Sequence, residues 1–339
     1  MNYVGVDLHK HSISVCVVIQ DSAGRRVVSR RRFACQDEER IYEYFAQLCP
    51  FQVVVEATAA YEWFARLVEP LSERLVLAHP KKLRVIAEST KKTDKLDAQT
   101  LAEFLALDMI PESWRPTPRV REHRVLVRAR RRIQRRITSV KNTLRHVLAN
   151  YNADVRQLFT RRGREYLAQM PLSDADRFQA DLLAEELDQH VDRLARLDKK
   201  LVQFGGAAPL AEREARAILA TAPGVGPVTT DVVLAELGDP RRFRSQRKVT
   251  AFAGLAPGIR ESAGRARQLG ITKEGSRLLR WIMVQAAWRA VRHTARWRVL
   301  FWRLKARCGP KKAIVAVARR LLSVLVAMLK SGQAYRHAA

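Results

Sequence analysis

Residues 2–33 read NYVGVDLHKHSISVCVVIQDSAGRRVVSRRRF, and the fold of the first third of the chain turns on them. Residues 2–8 and 12–20 alternate or run apolar and β-branched, and residues 26–33 form a third such run behind a turn at Gly24. Such runs between polar breaks predict strands, here an antiparallel meander. Working outward, residues 38–48 pattern as a helix, and Phe51 to Glu56, with three consecutive valines, as a buried strand. Residues 61–70 predict a helix, Leu75–Ala78 a short strand and 80–88 another helix.

Three antiparallel strands followed by alternating helices and strands is the order of an RNase H-like fold, although many α/β domains share it. At 339 residues the chain exceeds one ordinary core, and 47% hydrophobic residues supply more than one. Three domains are expected, at 1–110, 111–205 and 206–339, giving an α/β part followed by all-α parts. Pro111, Pro116 and Pro118 mark the first boundary. Arg119–Arg136 then holds nine arginines in 18 residues. Ile133, Ile137, Val140, Leu144 and Val147 follow at spacings of 4, 3, 4 and 3, a heptad-like seam. A second helix, from about 174 to 204, carries Leu183, Leu187, Val191, Leu194, Leu197 and Leu201. The pair predicts a long coiled-coil arm, antiparallel or oligomer-forming. Beyond Gly205–Pro209 the chain reads as mostly helical, with Pro223-Gly224-Val225-Gly226-Pro227 forming a turn like that of a helix-hairpin-helix element.

The net charge of +28 is distributed unevenly: residues 1–110 hold 15 Lys/Arg and 15 Asp/Glu, and residues 111–339 hold 47 and 19. An excess of this size calls for a polyanion, nucleic acid first and an anionic membrane surface second. Cys16, Cys35, Cys49 and Cys308 form no C-x-x-C pair, and three of them are expected as reduced core thiols, which fits a cytoplasmic protein. The N-terminus reads as a strand rather than a signal peptide. The apolar stretch from Ala313 to Leu329 is broken by Arg319 and Arg320, so no membrane span is expected.

Asp7 ends the first apolar strand and Glu56 the valine strand. An acid there is costly without a partner. Asp94 and Asp97 lie at the start of a predicted helix, where a spacing of three puts them on one face; helix-dipole stabilisation alone also accounts for acids in that position. Four converging carboxylates would repel one another unless cations bind. Hard oxygen donors suit Mg²⁺ or Mn²⁺, and two such ions can activate a nucleophile and stabilise a leaving oxygen. His9 and His11 flank the turn beyond Asp7. In the arginine run, Arg128, Arg130, Arg131, Arg132, Arg135 and Arg136 are candidate phosphate contacts, with only Glu122 as an acid among them. The backbone at Gly224 and Gly226 could hold a phosphate, or simply connect two helices. Ser262 falls in a small-residue loop among Arg260, Arg265 and Arg267, where it could act as a nucleophile or be an ordinary surface serine. Ser276 reads as a helix N-cap.

Taken in order, Val-Gly-Val-Asp7-Leu-His-Lys, Val-Val-Glu56-Ala-Thr and Lys-Thr-Asp94-Lys-Leu-Asp97-Ala resemble the Asp-Glu-Asp-Asp signature of a bacterial insertion-sequence transposase family. Pro-Gly-Val-Gly-Pro, Phe-Ala-Gly-Leu-Ala-Pro and Ile-Thr-Lys-Glu-Gly-Ser-Arg-Leu-Leu-Arg resemble its C-terminal blocks. The resemblance covers nearly the whole chain. It implies a RuvC-like N-terminal domain, a serine-containing C-terminal transposase domain and kinship with bridge-RNA-guided recombinases. It implies Asp7, Glu56, Asp94 and Asp97 as the metal tetrad and Ser262 as the nucleophile forming a covalent phosphoserine. The partners implied are double-stranded DNA at element ends and target, a noncoding guide RNA, and further copies of the chain in a dimer or tetramer, at the bacterial nucleoid. The sequence departs from the family in having Ala263 directly after the serine, before Gly264. Two other readings stand beside this one: a junction-resolving or structure-selective nuclease using water as nucleophile, and a non-catalytic nucleic-acid-binding scaffold.

Overall fold

The computed structural model describes all residues except 23, 59, 87–93, 263–264 and 337–339, and gives the backbone alone at 84–86, 94–97, 259–262 and 265–269. It divides into two compact units, Met1–Arg115 and Pro116–Ala339. The expected boundary near residue 205 falls inside the second.

The first unit is built on strands β1 (Asn2–Leu8), β2 (Ser12–Asp21), β3 (Gly24–Ala34), β4 (Phe51–Glu56) and β5 (Arg74–Ala78). Their order in the sheet is β3-β2-β1-β4-β5. The meander β1–β2–β3 is antiparallel, whereas β1–β4 and β4–β5 pair in parallel. The two parallel pairings require crossovers, supplied by α1 (Glu38–Ala46) and α2 (Tyr61–Val68). One face of the sheet buries Val4, Val6, Ile13, Val15, Val17, Val53 and Val55 against Ile41, Phe45, Phe64 and Val68 of these helices. Helix α3 (Pro80–Ile86) follows β5, and α4 (Asp94–Ala106) covers the other face. There Gly5 is required: a Cβ on it would lie 2.0 Å from the Ala98 carbonyl oxygen and 2.5 Å from the Ala102 nitrogen. The missing side chain is what lets α4 lie directly on β1. The edge strand β3 is mostly exposed and carries five arginines, which disfavours edge-to-edge pairing with another sheet. Of the cysteines only Cys16 is fully buried, and burial raises its thiol pKa; Cys49 and Cys308 are exposed, contrary to the expectation of core thiols.

The second unit opens with α5 (Pro118–Ala149), started by Thr117, whose hydroxyl accepts from the Val120 N–H, and by Pro118 at the first position. After α6 (Arg161–Gln169), α7 (Asp174–Gly206) returns antiparallel along α5. Arg119 near the start of α5 donates to the Phe204 carbonyl at 2.9 Å, and Tyr151, beyond its end, donates to Asp176 at 2.5 Å. Val140, Leu144 and Val147 of the expected seam are buried, as are Leu187 and Leu201 on α7. Val191 is 48% exposed, and His190 is buried instead. His190 and Val191 flank the line through Leu187, Leu194 and Leu201 on opposite sides, and the His190 side is the buried one. The seam is thus satisfied within one chain.

Helices α8 (Leu210–Ala220), α9 (Pro227–Leu237), α10 (Gln246–Phe252), α11 (Arg277–His293) and α12 (Ala295–Ser331, broken at Gly309) enclose the largest core. Between α10 and α11 an antiparallel ribbon, β6 (Pro257–Ser262) and β7 (Arg265–Ile271), interrupts the expected helices. Ser276 caps α11 as expected, accepting from the Leu279 N–H at 3.1 Å. Leu321, Leu322 and Leu325 of α12 pack into the core while Arg319 and Arg320 are exposed, and among the described residues no helix is long and apolar enough to cross a membrane.

Candidate catalytic and nucleic-acid sites

The parallel register of β1 with β4 runs from Asn2↔Phe51 to Val6↔Val55. The next residues, Asp7, one before the end of β1 at Leu8, and Glu56, the last of β4, therefore lie side by side at the same end of the sheet. The Asp7 side chain is 16% exposed, and His9 Nε2 lies 3.2 Å from its Oδ2. The turn that places His9 is closed by its own N–H donating to the Ser12 carbonyl at 2.9 Å. Glu56 pairs with Ala78 on β5, so His79 stands one residue beyond the next strand end. Its Nδ1 is buried and has no hydrogen-bond partner among the described residues. Neither histidine was singled out as a site residue from sequence; for His79 the available signal was its place directly after a strand parallel to the Glu56 strand.

Asp94 and Asp97 open α4, one turn and one residue before Ala98, which packs on Gly5 two positions before Asp7 in β1. Their side chains lie outside the described residues, as does the Ala87–Thr93 segment before them. Among the described residues no group of three His, Cys, Asp or Glu is gathered to hold a metal. Asp7 and Glu56 nonetheless supply the hard oxygen donors that a divalent cation takes, at a sheet edge where an uncompensated acid is costly.

Ser262 does not sit in an open loop. It ends β6, paired with Arg265, and two rungs along Arg260 pairs with Arg267. Opposed residues in an antiparallel pair share a face, and the face repeats every second rung. All four positions therefore fall on one face of the ribbon, a grouping that the sequence spacing did not reveal. Ala263 and Gly264 lie outside the described residues.

The candidate arginines of α5 divide into two sets. Arg128 pairs with Glu236 through two hydrogen bonds, of 2.9 and 3.1 Å, and this partner raises its pKa; Arg130 pairs with Asp198 at 2.6 Å. Arg131 lies 3.6 Å over the Trp281 ring, and burial lowers its pKa. Arg132, Arg135 and Arg136 are exposed. The acids that engage the first set come from α7 and α9, distant in sequence, so counting acids within the run missed them. Helix α9 is buried around nearly its whole circumference and carries Asp231 and Glu236 into the core. His123 and Arg216 reach Asp231 at 2.9 and 2.7 Å. Arg216 also donates to Glu212, as does Arg119.

Gly224 adopts a φ of +79° and abuts α11: a Cβ there would lie 2.4 Å from the Ala286 carbonyl oxygen. The missing side chain at Gly224 is what the close approach of α11 requires. Gly226 precedes α9 and lines a cavity of about 240 Å³ with Arg130, Gln134, Trp281 and Arg289.

A mixed sheet with two acids at neighbouring strand ends, joined in sequence to a strongly basic helical unit, has the arrangement of an RNase H-like domain followed by a basic helical one. Two family models narrow it: a transposase model of the Asp-Glu-Asp-Asp IS110 type matches residues 4–153, and that of the IS116/IS110/IS902 transposase family matches residues 216–301. Together they take in more than half of the chain, which belongs to this family of insertion-sequence transposases. The chain is 26% identical to a putative transposase of Sinorhizobium fredii, over 99% of this chain and 86% of that protein. It is also 26% identical to the transposase for insertion sequence element IS1111A of Coxiella burnetii, over 98% and 91%. A pilin gene-inverting protein of Moraxella bovis is 23% identical over 98% and 97%.

Proposed function

We propose that this transposase cuts and rejoins DNA through a covalent phosphoserine formed at Ser262, with Asp7, Glu56, Asp94 and Asp97 holding Mg²⁺ or Mn²⁺. The observation that carries the reading is the parallel register that delivers Asp7 and Glu56 to one edge of the sheet. A metal bound there supplies Lewis-acid stabilisation of charge on the phosphodiester. The four carboxylates orient it, and the partly buried edge limits competing water. The Ser262 oxygen bonds to phosphorus while the bond to the 3′-oxygen breaks; a 3′-hydroxyl on the new strand end later reverses the attack. Arg260, Arg265 and Arg267, on the ribbon face that Ser262 shares, stabilise the phosphate charge. DNA at element ends and target is the substrate. By family resemblance a noncoding RNA selects both, and an oligomer brings serine and carboxylates together from different copies, in the bacterial cytoplasm at the nucleoid. Phe178 and Leu182, 67% and 50% exposed one turn apart on α7, suit such a contact between copies.

A nuclease that uses water is the second reading, favoured by the strand-edge acids because they need no serine. Incubating the full chain with Mg²⁺, guide RNA and end-labelled element DNA separates the two. Ser262→Ala is expected to retain nucleic-acid binding but lose the denaturant-stable protein–DNA adduct and strand exchange, and Asp97→Ala to lose both as well. Normal cleavage by Ser262→Ala alongside loss in Asp97→Ala would establish water as the nucleophile.

A further inference from the structure

After Glu274 the chain carries 15 Lys/Arg and no Asp or Glu. This segment forms α11 and α12, which pack against each other. The inner side of α12 before its break at Gly309 is conventional core: Trp297 is 2% exposed, its indole N–H donating to the Tyr335 hydroxyl at 3.1 Å, and Phe301 is 5% exposed. The outer side is not. Ala295, Val299, Trp302 and Ala306 follow at spacings of 4, 3 and 4, an apolar stripe along one helical face, and all four are exposed, Trp302 by 55%. Trp288 of α11, 42% exposed, has its ring 5.3 Å from that of the buried Phe301, and the Trp302 ring lies 5.9 Å from the same phenyl, so both indoles border it. Lys305 Nζ sits 4.0 Å from the Trp302 ring centre, and Arg292, Arg298 and Arg303 are exposed around it.

Two large indoles left in water among cations call for an occupant with both flat apolar faces and negative charge. A second copy of this face would bring Arg298, Arg303 and Lys305 against like charges, which opposes association. Duplex DNA offers the charge, but its bases are already stacked. We propose that the outer face of α11 and α12 binds an unpaired stretch of nucleic acid, its bases stacking on Trp302 and Trp288 and its phosphates held by Arg292, Arg298, Arg303 and Lys305. The proposal rests on the nucleic-acid reading of the second unit and gives that unit a role distinct from duplex binding.

The test is fluorescence anisotropy of the full chain with three labelled 20-nucleotide probes: single-stranded DNA, single-stranded RNA of the same sequence, and the corresponding DNA duplex. Trp302→Ala is expected to weaken single-strand binding roughly five- to hundred-fold. Duplex affinity and the salt slope should not change, because no phosphate contact is lost. Trp302→Phe should recover most of the loss, and the strand type that shows the larger loss identifies the occupant as DNA or RNA. Equal weakening of all three probes, or no change in either single strand, overturns the proposal. So does a Trp302→Ala variant that is smaller by light scattering but binds strands normally, which would make the face a contact between copies. If the unmodified chain binds none of the probes, the broader nucleic-acid reading fails instead.

Discussion

Gly5 decides the geometry of the strand-edge site by having no side chain. A methyl group there would overlap the backbone of α4 at Ala98 and Ala102, so Gly5→Ala must push away the helix that Asp94 opens. Overpacking of this kind costs about 1–3 kcal/mol. The expected outcome is a lowered unfolding midpoint and loss of strand cleavage, with duplex affinity retained; full cleavage by a folded Gly5→Ala protein would detach Asp94 and Asp97 from the site. Glu212 is the corresponding residue in the second unit. Burial pushes its pKa up, but hydrogen bonds from Arg119 and Arg216 and their charges outweigh this and hold it below the usual carboxylate range. A depressed carboxylate contributes stability that is present above its unfolded pKa and is lost as pH falls through the folded value. Glu212→Gln should therefore cost about 1–3 kcal/mol near neutrality. The gap to the unmodified chain should close when urea unfolding is repeated in acid below the carboxylate range.

At the scale of the element, α5 combines two functions that its sequence presents as one. Arg128 neutralises Glu236, which is 2% exposed. Its removal takes away both hydrogen bonds that hold the buried Glu236 carboxylate. Arg128→Ala is expected to cost about 3 kcal/mol, at the lower end for a broken buried pair because the arginine itself is half exposed. Arg132, Arg135 and Arg136 should behave oppositely. Their joint replacement by Ala should leave the unfolding curve in place but flatten the salt dependence of DNA binding by about 0.7–0.9 in log–log slope per lost phosphate contact. A triple variant with the parental slope would remove α5 from the binding surface.

Across the whole molecule, charge follows the division into units. Residues 1–115 are neutral, with 16 cations and 16 anions, so the second unit carries the entire +28. Because the α5–α7 seam is filled within one chain, the proposed contact between copies would use other surfaces, of which Phe178 and Leu182 are exposed examples. Light scattering with nucleic acid present should report an assembly larger than one chain, and Phe178→Glu with Leu182→Glu should reduce it. A strict monomer in the unmodified chain would exclude a site shared between copies.

The strand meander, the valine strand ending in Glu56 and both long helices were legible in the sequence, because period-two and heptad patterns are local and survive without knowledge of partners. The ordered acidic blocks likewise pointed to the transposase family before any geometry. Neighbour relations were not legible. Parallel pairing brought Glu56 beside Asp7 and His79 beyond Glu56, and ribbon pairing put Ser262 on a face with three arginines. Carboxylates from α7 and α9 reached the arginine helix from more than sixty residues away. His190 rather than Val191 is the buried flank of the seam, because the packed neighbour, rather than hydrophobicity, decides which side of the leucine line is covered. Local periodicity is written in consecutive residues. Which charges meet, and which glycine must stay bare, depend on contacts that exist only once distant segments are packed together.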